Sequence, residues 1–409
     1  MRFLRPTRRL RFSFARHSRS IYLSPAQMAR AMSVTFLGTC SGGGPNESRN
    51  CSSLVLDCLR DGSLWMVDCA EGTTRQFAFQ PADTPVWLKP TSVSKLFITH
   101  MHADHTMGVV PMLRSVLFAP SIDPGAYVNP NPPPRIEIYG PAGIRTFVRS
   151  ILNMTLTRTA EKYVVHELLR PEDEPTPCEP PQVLHSSELV GRDIRCSTDG
   201  FWRGFTQGRG ALGDVVVDAG PILHRDPCLG YVFREPEAPA RKIVILGDTY
   251  DPSPITPLCD KPSLLIHEAT DAHIPREINP QNKRTPETVL RTALARGHSI
   301  PQMAGEFAKT VGAEKLVLNH IGGRFPAPRH DRDARLHVIR EIERQATEAW
   351  CSSESSGRYA MAAWDFMRVA VPAPPSIPPN QQPINVTEQV VYADPGEGLV
   401  YVKNKKRKW

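Results

Sequence analysis

The chain has 409 residues, enough for one large or two modest domains, and its 40% hydrophobic and 22% charged content is that of an ordinary globular protein. No uninterrupted apolar run reaches the roughly 18 residues that a membrane-crossing helix needs, which excludes an integral membrane protein of that type. The net charge of +7 gathers at the two ends, so it neither establishes nor excludes a nucleic-acid surface. Nine scattered cysteines without a CxxC pair do not form a disulfide framework and read as reduced thiols of an intracellular compartment.

Residues 1–31 hold eight arginines, several serines and no acid, with Phe3, Leu4, Leu10, Phe12 and Phe14 interleaved. That composition matches a mitochondrial transit presequence and so predicts a matrix location. Met32 opens the folded region, and a start there would yield a nuclear or cytosolic form without the presequence. Residues 33–39 read as a strand and glycine turn, 40–50 as a Gly/Ser/Asn loop, and 52–59 and 64–68 as two further strands. The second of these ends on Asp68, and residues 73–80 read as a helix.

The apolar run 95–98 leads into Thr99-His100-Met101-His102-Ala103-Asp104-His105. Residues two apart on a strand point the same way, so His100 and His102 aim two imidazoles at one point. A turn just after them adds the Asp104 carboxylate and the His105 imidazole. Three histidines and an aspartate in six residues would be costly to bury unpartnered, and imidazole with carboxylate suits zinc, with manganese or iron as alternatives. An acid at a neighbouring strand end commonly orients a ligand imidazole, a role that falls to Asp68.

Residues 106–118 carry apolar positions at a spacing that predicts a helix, 123–134 a proline-rich loop, 135–139 a strand, and Gly140-Pro141 the opening of a helix to about 152. The stretch 168–210 reads as polar and irregular. Beyond it, apolar strands recur and each ends on a polar residue: 215–223 before His224, 242–246 before Asp248, 263–266 before Glu268, and 315–318 before His320. With 95–98 that makes five strands delivering His, Asp or Glu at one type of edge, where α/β folds collect catalytic groups. His298 precedes a helix over 299–311, 325–358 is helical and charged, and 359–371 supplies a final strand or two. Residues 372–409 are proline-rich and then basic, a flexible tail. The organisation is therefore a presequence (1–31), one catalytic domain (32–371) and a tail (372–409).

The HxHxDH cluster resembles the signature of the metallo-β-lactamase superfamily. Together with 33–39, Asp68–Gly72 in the strand-end turn, His224 to Tyr231, Gly247-Asp248-Thr249, His267-Glu268-Ala269-Thr270, Gly297-His298-Ser299 and 319–324, it is similar to the short form of ribonuclease Z, the tRNA 3′-processing endonuclease. The resemblance implies an α/β fold, an αββα sandwich of two mixed sheets between helices. It implies one zinc held by His100, His102 and His224, a second by Asp104, His105 and His320, and Asp248 bridging them. It implies a two-metal phosphodiester hydrolysis in which Asp104 handles the attacking water. It implies too that Glu268 and His298 act as a proton-donating pair and that the products are a tRNA 3′-hydroxyl and a 5′-phosphate trailer. Precursor tRNA is the implied substrate. Relatives are often dimers, so a homodimer is carried as an expectation.

The loop 45–50 resembles one that places the tRNA 3′ end. It lacks a lysine at Ser48 but keeps Arg49 and Asn50, which become candidate substrate contacts. Between the Gly-Tyr strand and the Gly-Asp-Thr strand the family carries a long tRNA-gripping arm, where this chain has only a short linker over 233–241. Two other readings therefore stay open: a relaxed phosphodiesterase or arylsulfatase-like hydrolase of the same fold, and a non-catalytic RNA-binding or scaffold protein with a relic site.

Overall fold

Short apolar runs separated by polar turns fold here into two mixed sheets, with helices on their outer faces. The computed structural model describes residues 30–374 apart from 83, 85, 120–131, 179–183, 238–239, 331 and 352–356. The presequence, the basic tail and most of the proline-rich loop lie outside the described residues. In the first half of the chain the strands are β1 (Met32–Gly38), β2 (Ser53–Asp57), β3 (Leu64–Val67), β4 (Val93–Phe97), β5 (Ile136–Pro141), β6 (Tyr163–Leu169), β7 (Glu188–Leu189), β8 (Asp193–Arg195) and β9 (Trp202–Arg209). They continue with β10 (Asp214–Ile222), β11 (Cys228–Arg234), β12 (Lys242–Leu246), β13 (Leu264–Glu268), β14 (Leu316–Asn319), β15 (Met361–Ala362) and β16 (Arg368–Val371). The helices are α1 (Thr73–Ala78), α2 (Ala103–Thr106), α3 (Val109–Leu117), α4 (Ile144–Met154), α5 (Pro286–Ala295), α6 (Pro301–Thr310) and α7 (Arg335–Trp350).

The first sheet runs β16-β1-β2-β3-β4-β5-β6-β7, with β8 also on β6, and the second runs β15-β14-β13-β12-β11-β10-β9. The chain's two described ends meet, because Met32 pairs with Val371 in an antiparallel β1–β16 ladder. Between the sheets lies a core rich in aromatic residues from both: Trp65, Phe97 and Tyr139 of the first pack with Phe205, Tyr231 and Phe233 of the second. Phe97 is its centre, with ring centroids 5.4 Å from Tyr139, 5.4 Å from Tyr231 and 5.3 Å from Phe233. Helices α1, α3 and α4 cover the outer face of the first sheet, and α6 and α7 that of the second. This is the αββα sandwich expected above.

β3 through β6 run parallel, as do β12, β13 and β14. β10 shares the direction of β12 because β11 is antiparallel to both. The strand ends that carry polar residues therefore gather at one edge. The two sheets touch there: Leu229 N donates to Thr99 O at 3.0 Å and Tyr231 Oη to Ile98 O at 2.7 Å.

Two readings need correction, and one helix adds to them. The stretch 168–210 contains β7, β8 and β9, not an irregular loop. β9 is an edge strand with only Trp202 and Phe205 buried, and it includes Gly204 and Gly208, so no apolar alternation announces it. Gly140 and Pro141 finish β5, and the helix starts only at Ile144. α5 was not expected; it buries only Val289 and Ala293, so its apolar residues do not form a clear stripe. His166 sits beside Glu137 and His185 on Thr157 O, both away from the strand edge described above. All nine cysteines are unpaired. We expect Phe97→Ala to cost about 3–5 kcal/mol, read as a lower denaturant midpoint at unchanged slope.

Candidate metal centre

β4 ends at Phe97, and the chain continues extended through His100 and His102 before α2 turns Asp104 and His105 inward. His100 Nε2 lies 2.9 Å from His102 Nδ1, and His105 Nε2 lies 3.3 Å from His320 Nε2. Ligand atoms about 2.0–2.1 Å from a tetrahedral cation stand about 3.4 Å apart, so these spacings fit a shared ion. Two groups form. His100, His102, His224 and Asp248 offer ligand atoms all within 4.8 Å of one another, and so do Asp104, His105 and His320. Asp248 joins them: its Oδ2 faces His100 Nε2 at 3.7 Å, while its Oδ1 faces His105 Nε2 at 3.5 Å and His320 Nδ1 at 3.3 Å.

The outer nitrogens show why the inner ones fit a cation. His105 Nδ1 meets Asp68 Oδ2 at 2.7 Å, His102 Nε2 meets Asp226 Oδ2 at 2.7 Å, and His224 Nδ1 meets Gly297 O at 2.6 Å. A carboxylate or carbonyl oxygen only accepts, so each of these nitrogens donates. In the neutral ring the opposite nitrogen then presents a lone pair to the interior. His224 Nε2 is buried there with no hydrogen-bond partner among the described residues. Lone pairs converging on lone pairs repel unless a cation lies between them. The nitrogen and oxygen donor set suits zinc, with manganese or iron as alternatives.

The same groups interact strongly with one another. Burial works to raise the Asp248 carboxyl, but His320 and His105 outweigh it and hold Asp248 well below the usual carboxylate range. Burial alone would depress His105, yet Asp248 and Asp68 raise it well above an ordinary imidazole. Burial carries His100 down, helped by His105. Two backbone positions are strained for the sake of the site. Asp68 and His320 adopt φ of 58° and 54°, a region costing of order 1–3 kcal/mol for a residue other than glycine. Gly247 and Gly297 permit the close approach. A Cβ on Gly247 would come within 2.7 Å of Thr99 Cβ, and one on Gly297, whose φ is 80°, within 2.6 Å of His224 Nδ1.

Glu268 and His298 also meet. His298 Nδ1 lies 3.0 Å from Glu268 Oε1, which also accepts from Thr249 N at 2.7 Å, while Oε2 accepts from Thr270 Oγ1 at 2.6 Å. The His298 ring sits 5.1 Å from that of His224 and 5.5 Å from that of His320, between the two groups. Burial works against protonation of His298, but Glu268 outweighs it and raises its pKa. His267, the neighbour of Glu268, is not part of these groups and packs beside Phe307 on the helix side of the sheet.

Arg49 and Asn50 do not lie where a substrate contact requires. Arg49 is buried, and its guanidinium donates to Ala363 O at 2.6 Å, Thr39 Oγ1 at 2.8 Å and Phe325 O at 3.3 Å. Asn50 is buried too, with Nδ2 on Glu71 O at 3.1 Å. Both are spent on holding the loop to the body of the protein. Contacts that sequence reasoning missed include Gly42 N on Asp104 Oδ2 at 2.8 Å, Thr270 Oγ1 beside His320 Nδ1 at 2.9 Å, and the Asp226 and Gly297 contacts above. The backbone donors and acceptors have no sequence signal. Asp226 did, two residues after His224.

A two-sheet αββα sandwich with a double His/Asp group bridged by one aspartate at its strand edge is a metallo-β-lactamase-fold hydrolase. No family model matches the chain. The chain is 30% identical over 405 residues to the cattle (Bos taurus) zinc phosphodiesterase ELAC protein 1, covering 84% of this chain and 99% of that one. It is 30% identical over 341 residues to ribonuclease Z of Streptococcus sanguinis, covering 76% and 99%. The crystal structure of human tRNase Z, short form, superposes with a TM-score of 0.56 at 30% identity, over 83% of this chain and 100% of that one. The chain belongs to the ribonuclease Z family.

We expect His320→Ala to lose about one metal equivalent and Asp248→Ala both, by elemental analysis of purified protein against wild type. Arg49→Ala should lower stability by about 2–4 kcal/mol, since it strands buried acceptors. A phosphate contact would instead raise KM at unchanged stability.

Proposed function

We propose that this chain is a metal-dependent endoribonuclease that removes the 3′ trailer from tRNA precursors. The observation that carries this is the bridged double ligand group with the Glu268–His298 pair set between its halves. The cattle and human relatives and the streptococcal ribonuclease Z support it by family. Two zinc ions are the proposed cofactors. Bound there, they would supply an activated water and a clamp on the phosphodiester for in-line attack.

The protein's own groups supply the rest. Asp104, fixed by Gly42 N, holds a carboxylate at the face of the second group, where it can orient a water and take its proton. Glu268 accepts the Nδ1 proton of His298, so the other ring nitrogen is free to donate. The raised pKa of His298 favours the protonated ring that a leaving 3′-oxygen needs. Thr249 N and Thr270 Oγ1 keep the Glu268 carboxylate from swinging away. Products are a tRNA with a 3′-hydroxyl and a trailer with a 5′-phosphate.

One observation favours a second reading, a hydrolase of smaller phosphodiesters. β11 and β12 are joined by a tight connection closed by a buried Glu235–Arg241 pair at 2.6 Å and by Glu235 N on Arg241 O at 3.0 Å. Nothing the length of a gripping arm fits between those strands. The deciding assay gives purified protein a 3′-extended precursor tRNA and maps the ends. We expect one cut after the discriminator base, abolished by chelator and restored by zinc. Cleavage of a chromogenic phosphodiester with the RNA left intact would establish the second reading instead. His298→Ala should lower kcat by about 10²–10⁴-fold with metal content unchanged.

A further inference from the structure

A ligand imidazole coordinates well only if its ring is held and its outer nitrogen carries the proton. Four of the five ligand imidazoles are held by buried or backbone groups. His100 Nδ1 has Thr99 Oγ1 at 3.1 Å, His105 has Asp68, His224 has Gly297 O, and His320 has Thr270 Oγ1. His102 is different. It lies in the turn between β4 and α2, outside any strand, and its side chain is 22% exposed. Among the described residues its Nε2 has one polar partner, the Asp226 carboxylate, whose side chain is 57% exposed.

Without a holder, an imidazole ring turns readily about χ2, where the torsional wells are broad. Such a turn would replace Nδ1 at the interior with a ring carbon. A carboxylate on Nε2 blocks that turn and forces the Nε2–H tautomer, leaving the Nδ1 lone pair facing His100 Nε2 at 2.9 Å. It also makes the ring a more basic ligand. Arg225 Nε stands 3.6 Å from the same Asp226 oxygen, too far to take it from His102.

We propose that Asp226 is a positioning residue. It sets the orientation and tautomer of His102 and thereby the affinity of the cation position built from His100, His102 and His224. Asp226 lies two residues after His224, so the short connection from β10 to β11 supplies one ligand to that position and the holder of another. The other position, made by Asp104, His105 and His320, has its own carboxylate holder in Asp68 and is untouched. The inference rests on the metal reading of the site and not on the identity of the substrate.

The test uses the full chain, stripped by chelator and titrated with zinc against a chromogenic competitor, and separately with cobalt followed by visible absorption. Asp226→Ala is expected to weaken one metal equivalent by about 10–100-fold and leave the other at wild-type affinity, with the cobalt bands of one position altered. Asp226→Asn keeps an acceptor oxygen and should recover most of the loss. Because the side chain is largely exposed, the metal-free Ala variant should unfold at the wild-type denaturant midpoint. Wild-type affinity for both equivalents in Asp226→Ala overturns the proposal, as does a loss of metal-free stability that accounts for the weakened binding. A wild-type protein that binds neither equivalent overturns the metal reading itself, which the same titration shows before any variant is made.

Discussion

The structure turns on one buried carboxylate. Asp248 stands at the end of β12 with imidazoles on both oxygens and almost no exposure to water. Taking a carboxylate out of water costs several kcal/mol unless opposite charge is brought to it. The imidazoles that face it share that task, and a cation bound among them would complete it. Much of the surrounding sequence is what this constraint requires. Gly247 lets β12 approach Thr99, β12 lies beside β13 so that Glu268 falls next to Asp248, and β14 delivers His320 from the other side.

How far this was legible depended on where the information lies in the chain. The HxHxDH run is local, and strand periodicity plus one turn was enough to converge its side chains. His224, Asp248, Glu268 and His320 were legible for another reason: each follows an apolar strand, and strands in a layered α/β fold share an edge. The holders of the imidazoles were less visible. Gly297 O is a backbone carbonyl and leaves no trace in residue identity, and Thr99 and Thr270 are ordinary strand-end threonines. Arg49 was misread for a physical reason. An arginine in a glycine-rich loop beside a phosphodiesterase centre invites a phosphate role, but the loop is closed over by the returning segment that carries Ala363, more than 300 residues away. β9 was missed because an edge strand need bury only part of one face.

Two residues in left-handed backbone, Asp68 and His320, belong to the same metal position, one as holder and one as ligand. Strain of this kind persists only where the neighbours over-determine it. Asp68 is pinned by its N–H on Phe97 O at 2.8 Å and by Thr99 N on its Oδ1 at 2.8 Å. The residue after His320 is pinned by Ile321 N on Thr39 O at 2.8 Å. Strain on that side and an exposed carboxylate on the other make the two positions unequal: one is rigidly built, the other adjustable through Asp226.

The last segment of the fold explains how the rigid side is kept so. Residues 361–371 leave the second sheet as β15, cross the sandwich and join the first as β16. On the way Asp365 accepts from Thr39 Oγ1 at 2.8 Å, Asn50 N at 2.6 Å and Gln76 Nε2 at 2.9 Å. Ala363 N donates to Leu318 O at 2.8 Å, two residues before His320. The loop that bears Gly42, and so fixes Asp104, is thus tied to the segment that joins β15 to β16. These contacts span nearly the whole sequence, and loop closure over such distances is slow and entropically costly. The carboxylate of Asp104 thus depends, through Gly42, on contacts between residues far apart in the chain.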